Sequence, residues 1–209
     1  MTDASTDDAR TDSVLIALVR HGETDWNRER RLQGTTDIPL NDTGRLQAAQ
    51  TGERLASEQW DAVYGTTLSR AAETAQIIAR TLELPEPRLV AALAERAHGV
   101  LEGLDHAGRA AVEAQAATIE GLEPRSTVIA RSTAALAEIA AAHPGGAVVV
   151  VSHGGVIHSL MLHLSDWTLP GAGYAVANGS VHLVRFEAGE LSIVEPEALT
   201  GEALTGTDA

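Results

Sequence analysis

Val14-Leu15-Ile16-Ala17-Leu18-Val19-Arg20-His21-Gly22 is the stretch whose reading decides the fold. Six apolar residues follow one another without the alternation of a half-exposed strand. A short continuous run of this kind fits a strand covered on both faces. It ends abruptly in Arg20-His21-Gly22. A second run, Ala147 to Val151, ends the same way in Ser152-His153-Gly154-Gly155. A shorter strand is predicted over residues 61–65. Between these runs the apolar spacing turns helical. Residues 43–57 carry Leu46, Ala49 and Leu55, with Asn41 or Asp42 as the N-cap. Residues 69–82 carry Ala72, Ala75, Ile78, Ala79 and Leu82, and residues 126–142 carry Val128, Leu136 and Ile139. Residues 156–164 read as a short buried helix. Residues 180–186 and 191–194 alternate around Gly189 and read as a hairpin. Strands that alternate with helices predict an α/β protein, a three-layer α/β/α sandwich on a mostly parallel sheet.

Composition narrows the function. The chain has 209 residues and fits a single domain over 13–197. The polar segments 1–12 and 198–209 read as disordered tails. Residues 105–124 form a helical excursion placed to cover a site. There is no cysteine, so disulfides, thiolate chemistry and cysteine metal sites are excluded. The net charge is −14 with only 15 Lys+Arg, which argues against nucleic acid and anionic membranes as partners. No secretory signal or membrane-length apolar run is present, so the cytoplasm is the expected location. An anionic small molecule would be repelled at long range, and its site must be a local cluster of Arg and His.

Ligands of open α/β sheets sit beyond the carboxyl ends of the strands. Two strand ends here carry His followed by Gly, and glycine lets a ligand approach backbone N–H groups closely. A helix start after His153 favours an anion. If the two strands are neighbours, His21, His153 and Arg20 surround one point, which is a phosphate pocket.

Arg20-His21-Gly22-Glu23-Thr24-Asp25-Trp26-Asn27 resembles the signature of the histidine phosphatase superfamily, which includes the phosphoglycerate mutases. The similarity continues through residues 32–44, through Thr66 to Ala75, through Leu93 to Gly103, and through Val151 to Gly155. Five blocks in the family's order cover most of residues 14–186. The resemblance implies a phosphoglycerate mutase-like fold and a phosphoryl-transfer enzyme that needs no metal or cofactor. His21 would attack phosphorus and become a phosphohistidine. Arg20, Arg70 and His153 would hold the phosphoryl oxygens, and Asn27 would help orient the group. Glu95 would give a proton to the leaving oxygen and then activate water. Thr24 and Gly34 match positions that line the family's substrate pocket. Gly154 and His98 are further candidates for substrate contact.

Glu95, Arg96, Gly99, Leu101, Gly103 and Leu104 follow the mutase pattern, and Arg96 is open to a role as substrate contact or surface ion pair. Mutases, however, carry a longer basic insertion, whereas residues 105–126 offer only Arg109 and Arg125, with His106 in place of a lysine. Hydrolysis of a small phosphate monoester is therefore expected, of a sugar phosphate or phosphoglycerate type, with mutase activity as the alternative. A silent phosphate-binding module is disfavoured because His21, Arg20, Arg70, Glu95 and His153 are all present. His158 and His163 read as core or surface residues, not metal ligands, and Trp26 and Trp60 as packing residues. The partner expected is a small phosphorylated metabolite. The terminal hairpin offers an edge for a possible homodimer.

Overall fold

The two apolar runs lie side by side. In the computed structural model, which describes residues 13–171 and 174–194, they form β1 (Val14–Arg20) and β4 (Ala147–Ser152). These strands pair in parallel from Leu15 opposite Ala147 to Arg20 opposite Ser152. The sheet has six strands in the order β3-β2-β4-β1-β5-β6, with β2 at Ala62–Gly65, β3 at Arg88–Leu89, β5 at Val181–Glu187 and β6 at Glu190–Ile193. The first four strands are parallel, and β5 and β6 run antiparallel at one end. The hairpin is as expected, within a residue or so at its ends.

Side-chain alternation divides β1 and β4 between two cores. Ile16, Leu18, Val148 and Val150 face one way, onto α5 (Arg125–Ala141) and α6 (Gly154–Leu164) through Leu136, Ile139, Ile157 and Leu160. Ala17, Val19, Val149 and Val151 face the other, onto α2 (Asp42–Leu55) and α3 (Ser69–Thr81) through Leu55, Ala71, Ala75 and Ile78. The protein is thus a three-layer α/β/α sandwich on a mostly parallel sheet, as expected. Both central strands are buried on both faces, so neither shows polar alternation.

Local signals set the boundaries. The Asn41 side chain accepts from Gly44 N at 2.8 Å and caps α2, as expected. Asp105 caps α4 (His106–Gln115) in the same manner through Gly108 N. The excursion over 105–124 holds this one helix, and none of its residues is buried. A four-residue helix, α1 (Asp25–Arg28), was not expected. The proposed tails at 1–12 and 198–209, and the domain's last residues 195–197, lie outside the described residues. No helix among the described residues is long and apolar enough to cross a membrane.

Candidate active site

Because β1 and β4 are neighbours in register, their carboxyl ends bring His21 and His153 together, with ring centroids 5.2 Å apart. Both rings are buried. The His21 Nδ1 lies 2.7 Å from the carbonyl oxygen of Gly22, its following residue. A carbonyl only accepts, so Nδ1 carries the proton and Nε2 keeps its lone pair. Arg70 Nε donates toward that Nε2 at 3.3 Å. Burial, then the charges of Arg20 and Arg70, hold the His21 imidazole well below the usual histidine range. The result is a neutral imidazole with one basic nitrogen presented.

Arg70 is fully buried on the first turn of α3. Its Nη1 donates to Thr36 O at 2.9 Å and its Nη2 to Gly34 O at 2.7 Å. That loop is fixed in turn by Glu102, which accepts from the backbone N–H groups of Thr35, Thr36 and His98. Gly34 has φ 57°, and a Cβ there would fall 2.0 Å from Glu102 Oε1, so close approach demands glycine. Asp37 completes the tie by accepting from Ser69 N and Oγ at the start of α3.

Arg20 donates through Nη1 to Val176 O, while its Nε is buried with no hydrogen-bond partner. Burial lowers its guanidinium to about 10. His153 has the Thr66 hydroxyl at its Nε2, 2.8 Å away, and its Nδ1 is likewise buried without a partner. Burial, then His21 and the arginines, hold this imidazole well below its usual range too. A buried donor left unpaired costs roughly 1–3 kcal/mol unless a ligand accepts from it. Arg20 Nε is such a donor, and Arg20 lines the same cavity as His21.

Glu95 sits across the cavity, beyond a short 3₁₀ turn at Ala91–Leu93. Its carboxylate accepts from Arg96 N at 2.8 Å and from Gly155 N at 3.0 Å. A Cβ on Gly155 would come within 2.5 Å of Glu95 Oε1, so the second glycine after His153 makes room for this carboxyl.

The cavity measures about 610 Å³. Arg20, His21, Arg70, Glu95, Asn27, Gly34, Gly154 and His98 all line it, so most of the expected site residues converge. His153 is fully buried, its ring centroid 5.2 Å from that of His21, and it is not among the lining residues. Thr24 does not fit its expected place. It is fully buried and caps α1, accepting from Asn27 N, because that short helix needs an N-cap oxygen. Asn27 Oδ1 is committed to Thr24 N and Asn178, so it presents its amide from a fixed frame. Sequence reasoning missed Arg125 and His158 as a pair, and Arg30 and Arg31. His158 follows Gly154 by four residues on a helix, a spacing that puts it on the same face and was available as a signal. His163 is not among the lining residues.

The sequence profile of the histidine phosphatase superfamily (branch 1) matches residues 16–198. The chain belongs to this superfamily. It is 41% identical over 172 residues to phosphoglycerate mutase-like protein 4 of Arabidopsis thaliana, covering 77% of this chain and 75% of that one. It is 37% identical over 192 residues to a metal-independent phosphoserine phosphatase of the same plant, covering 85% and 79%. A mycobacterial glucosyl-3-phosphoglycerate phosphatase solved with vanadate superposes with a TM-score of 0.71 at 30% identity, covering 81% of this chain and 90% of that one. Superfamily members of this kind are phosphatases or phosphotransferases, and the site has the donors either chemistry needs.

Proposed function

We propose that the protein is a metal-independent phosphatase that hydrolyses a small phosphate monoester through a phosphohistidine on His21. The observation that carries this reading is the neutral His21, whose Nε2 is held at 3.3 Å by Arg70 Nε in a cavity that Arg20 also lines with a buried Nε that lacks a partner. A phosphoryl group supplies the acceptor that donor needs.

The steps balance. His21 Nε2 forms a bond to phosphorus as the ester P–O bond breaks. Glu95 serves as the general acid that passes a proton to the leaving alkoxide. Arg20, Arg70 and His153 meet the charge on the equatorial oxygens, and Asn27 orients the group. Phosphoryl transfer needs positioning and charge stabilisation above all, and guanidinium forks match phosphate oxygens. Water, deprotonated by the Glu95 carboxylate, then attacks phosphorus. Inorganic phosphate leaves, and His21 returns to its neutral form.

Water as acceptor is favoured by the thin cover: α4 buries none of its residues. The relatives named as phosphatases support the same choice, and their names favour a phosphorylated metabolite as substrate. Mutase activity is the second reading, favoured by the arginines that line the outer cavity and by the mutase-like relative.

The test is turnover of p-nitrophenyl phosphate in the presence of a chelator. Release of nitrophenol supports the reading. No turnover at any pH between about 4 and 9 sinks it. Exchange of 2- and 3-phosphoglycerate, stimulated by a bisphosphate, would favour the mutase.

A further inference from the structure

The residues just before β5 reach the site from the side. Val176 O accepts from Arg20 Nη1. Asn178 Nδ2 donates to His21 O at 3.0 Å and to Asn27 Oδ1 at 3.2 Å. The turn that carries Asn178 is tied down on two sides. Gly179 N donates to Arg20 O at 3.0 Å, and Arg20 N donates to Ser180 O at 3.1 Å. Gly179 O accepts from Thr51 Oγ1 at 3.0 Å and from Arg54 Nη2 at 2.6 Å, both on α2. Gly179 has φ 71°, in the left-handed region that favours glycine, so the chain turns here at little cost. Asn178 is therefore held between β1 and α2.

The polarity of two carboxamides follows from these contacts. His21 O only accepts, so the end of Asn178 that faces it is the amide nitrogen. An NH2 group has two hydrogens, and the second is available to Asn27. Thr24 N, which only donates, lies 3.1 Å from the same atom of Asn27, as does the Thr24 hydroxyl. Donors converge on that atom, so it is the oxygen. Asn27 Nδ2 is the end left for the cavity that Asn27 lines. Phosphoryl oxygens only accept. Turned over, Asn27 would set a carbonyl oxygen against them, and a preorganised donor would become a repulsion.

The structure assigns Asn178 as a positioning residue that sets which end of Asn27 meets the phosphoryl group. The His21 carbonyl fixes Asn178, and Asn178 with Thr24 fixes Asn27. This rests on the phosphohistidine reading of the cavity. Local sequence carries no mark of it, since Asn178 stands 151 residues from Asn27.

The test is Asn178→Asp, which keeps the size of the side chain and removes its donor. A carboxylate there favours the turned Asn27, whose NH2 can donate to it. With p-nitrophenyl phosphate, kcat/KM should fall by about 10²-fold. Asn178→Ala removes the donor without adding an acceptor and leaves the Thr24 bonds in place, so its fall should be about tenfold. A double-mutant cycle with Asn27→Ala decides the route. In that background Asn178→Asp should cost less than about threefold, because no carboxamide is left to turn. An equal loss with and without Asn27 means that Asn178 acts through the fold or through His21 alone, and overturns the assignment. A fall of less than about threefold in both single variants overturns it too. Calorimetric titration with orthovanadate repeats the cycle without turnover. Asn178→Asp should weaken binding by about tenfold or more, and should leave the Kd of Asn27→Ala unchanged. If the wild type binds vanadate but does not hydrolyse p-nitrophenyl phosphate, the phosphatase reading fails while the titration still decides the assignment. No vanadate binding by the wild type overturns both.

Discussion

Arg70 uses all three of its nitrogens: two donate to loop carbonyls that fix its plane, and Nε points toward His21 Nε2. Lysine keeps the charge but loses the fork. Arg70→Lys should lower kcat/KM for p-nitrophenyl phosphate by about 10²–10³, the scale of losing one preorganised donor. Its circular dichroism spectrum should stay that of the wild type. A fall under threefold would contradict the clamp. His21 also makes a pH prediction. Burial and two guanidinium groups depress its pKa, so the free enzyme keeps a neutral nucleophile well below pH 6.5. After correction for substrate ionisation, the acid limb of kcat/KM should lie well below that value. A limb at about 6.5 would mean His21 is solvated like a model imidazole. At this scale the sequence spoke clearly where function sits at strand ends. Arg20, His21 and His153 follow apolar runs and stand beside glycines. Arg125 and His158 were not legible as a pair, because they are 33 residues apart and meet only when α5 packs on α6.

At the scale of elements, α5 holds the segment that carries Glu95. Arg131 donates to Ala92 O and Ala94 O at 2.7 Å each and to Glu95 O at 3.3 Å. It also pairs with Glu123, whose other bond is to Ala97 N. The Arg131 hydrogen bond, foremost, holds the Glu123 carboxyl below the usual carboxylate range. Arg131 touches no substrate, so it is a positioning residue. Arg131→Ala should cost about 2–4 kcal/mol in chemical denaturation, because it strands several acceptors and a partly buried charge. It should also slow an alkyl phosphate about tenfold more than p-nitrophenyl phosphate, since only the poor leaving group needs a well-placed acid. An equal loss on both esters would mean that Arg131 matters for stability alone. Sequence periodicity located α5 to within a residue at each end, but a cation on its polar face carries no mark of what it will reach.

Across the whole molecule, the buried histidines link stability to pH. His21 and His153 are held well below the ordinary range, and His182 is lowered to about 4, each mainly by burial. As pH falls below about 6.5, the unfolded chain takes up protons that the native state refuses. Native stability must therefore decline between about pH 6.5 and 4, and above pH 6.5 these groups contribute no slope. Thermal denaturation should give a Tm that falls steadily from about pH 7 to 5, and inorganic phosphate should raise it by mass action. A flat or rising Tm on acidification would contradict the burial of these rings. The sandwich itself was legible because continuous apolar runs alternated with amphipathic ones. Strand order was not, since β4 inserts between β1 and β2 through packing of side chains far apart in sequence. The two-residue β3 is too short for any period to show.

The central claim is that His21 carries the phosphoryl group. Acid-free quenching during turnover of a phosphate ester, followed by peptide mass spectrometry, tests it directly. One phosphoryl group on the peptide containing His21, and none in His21→Ala, is the predicted result. A labelled peptide that lacks His21, or undiminished labelling of His21→Ala, would contradict it.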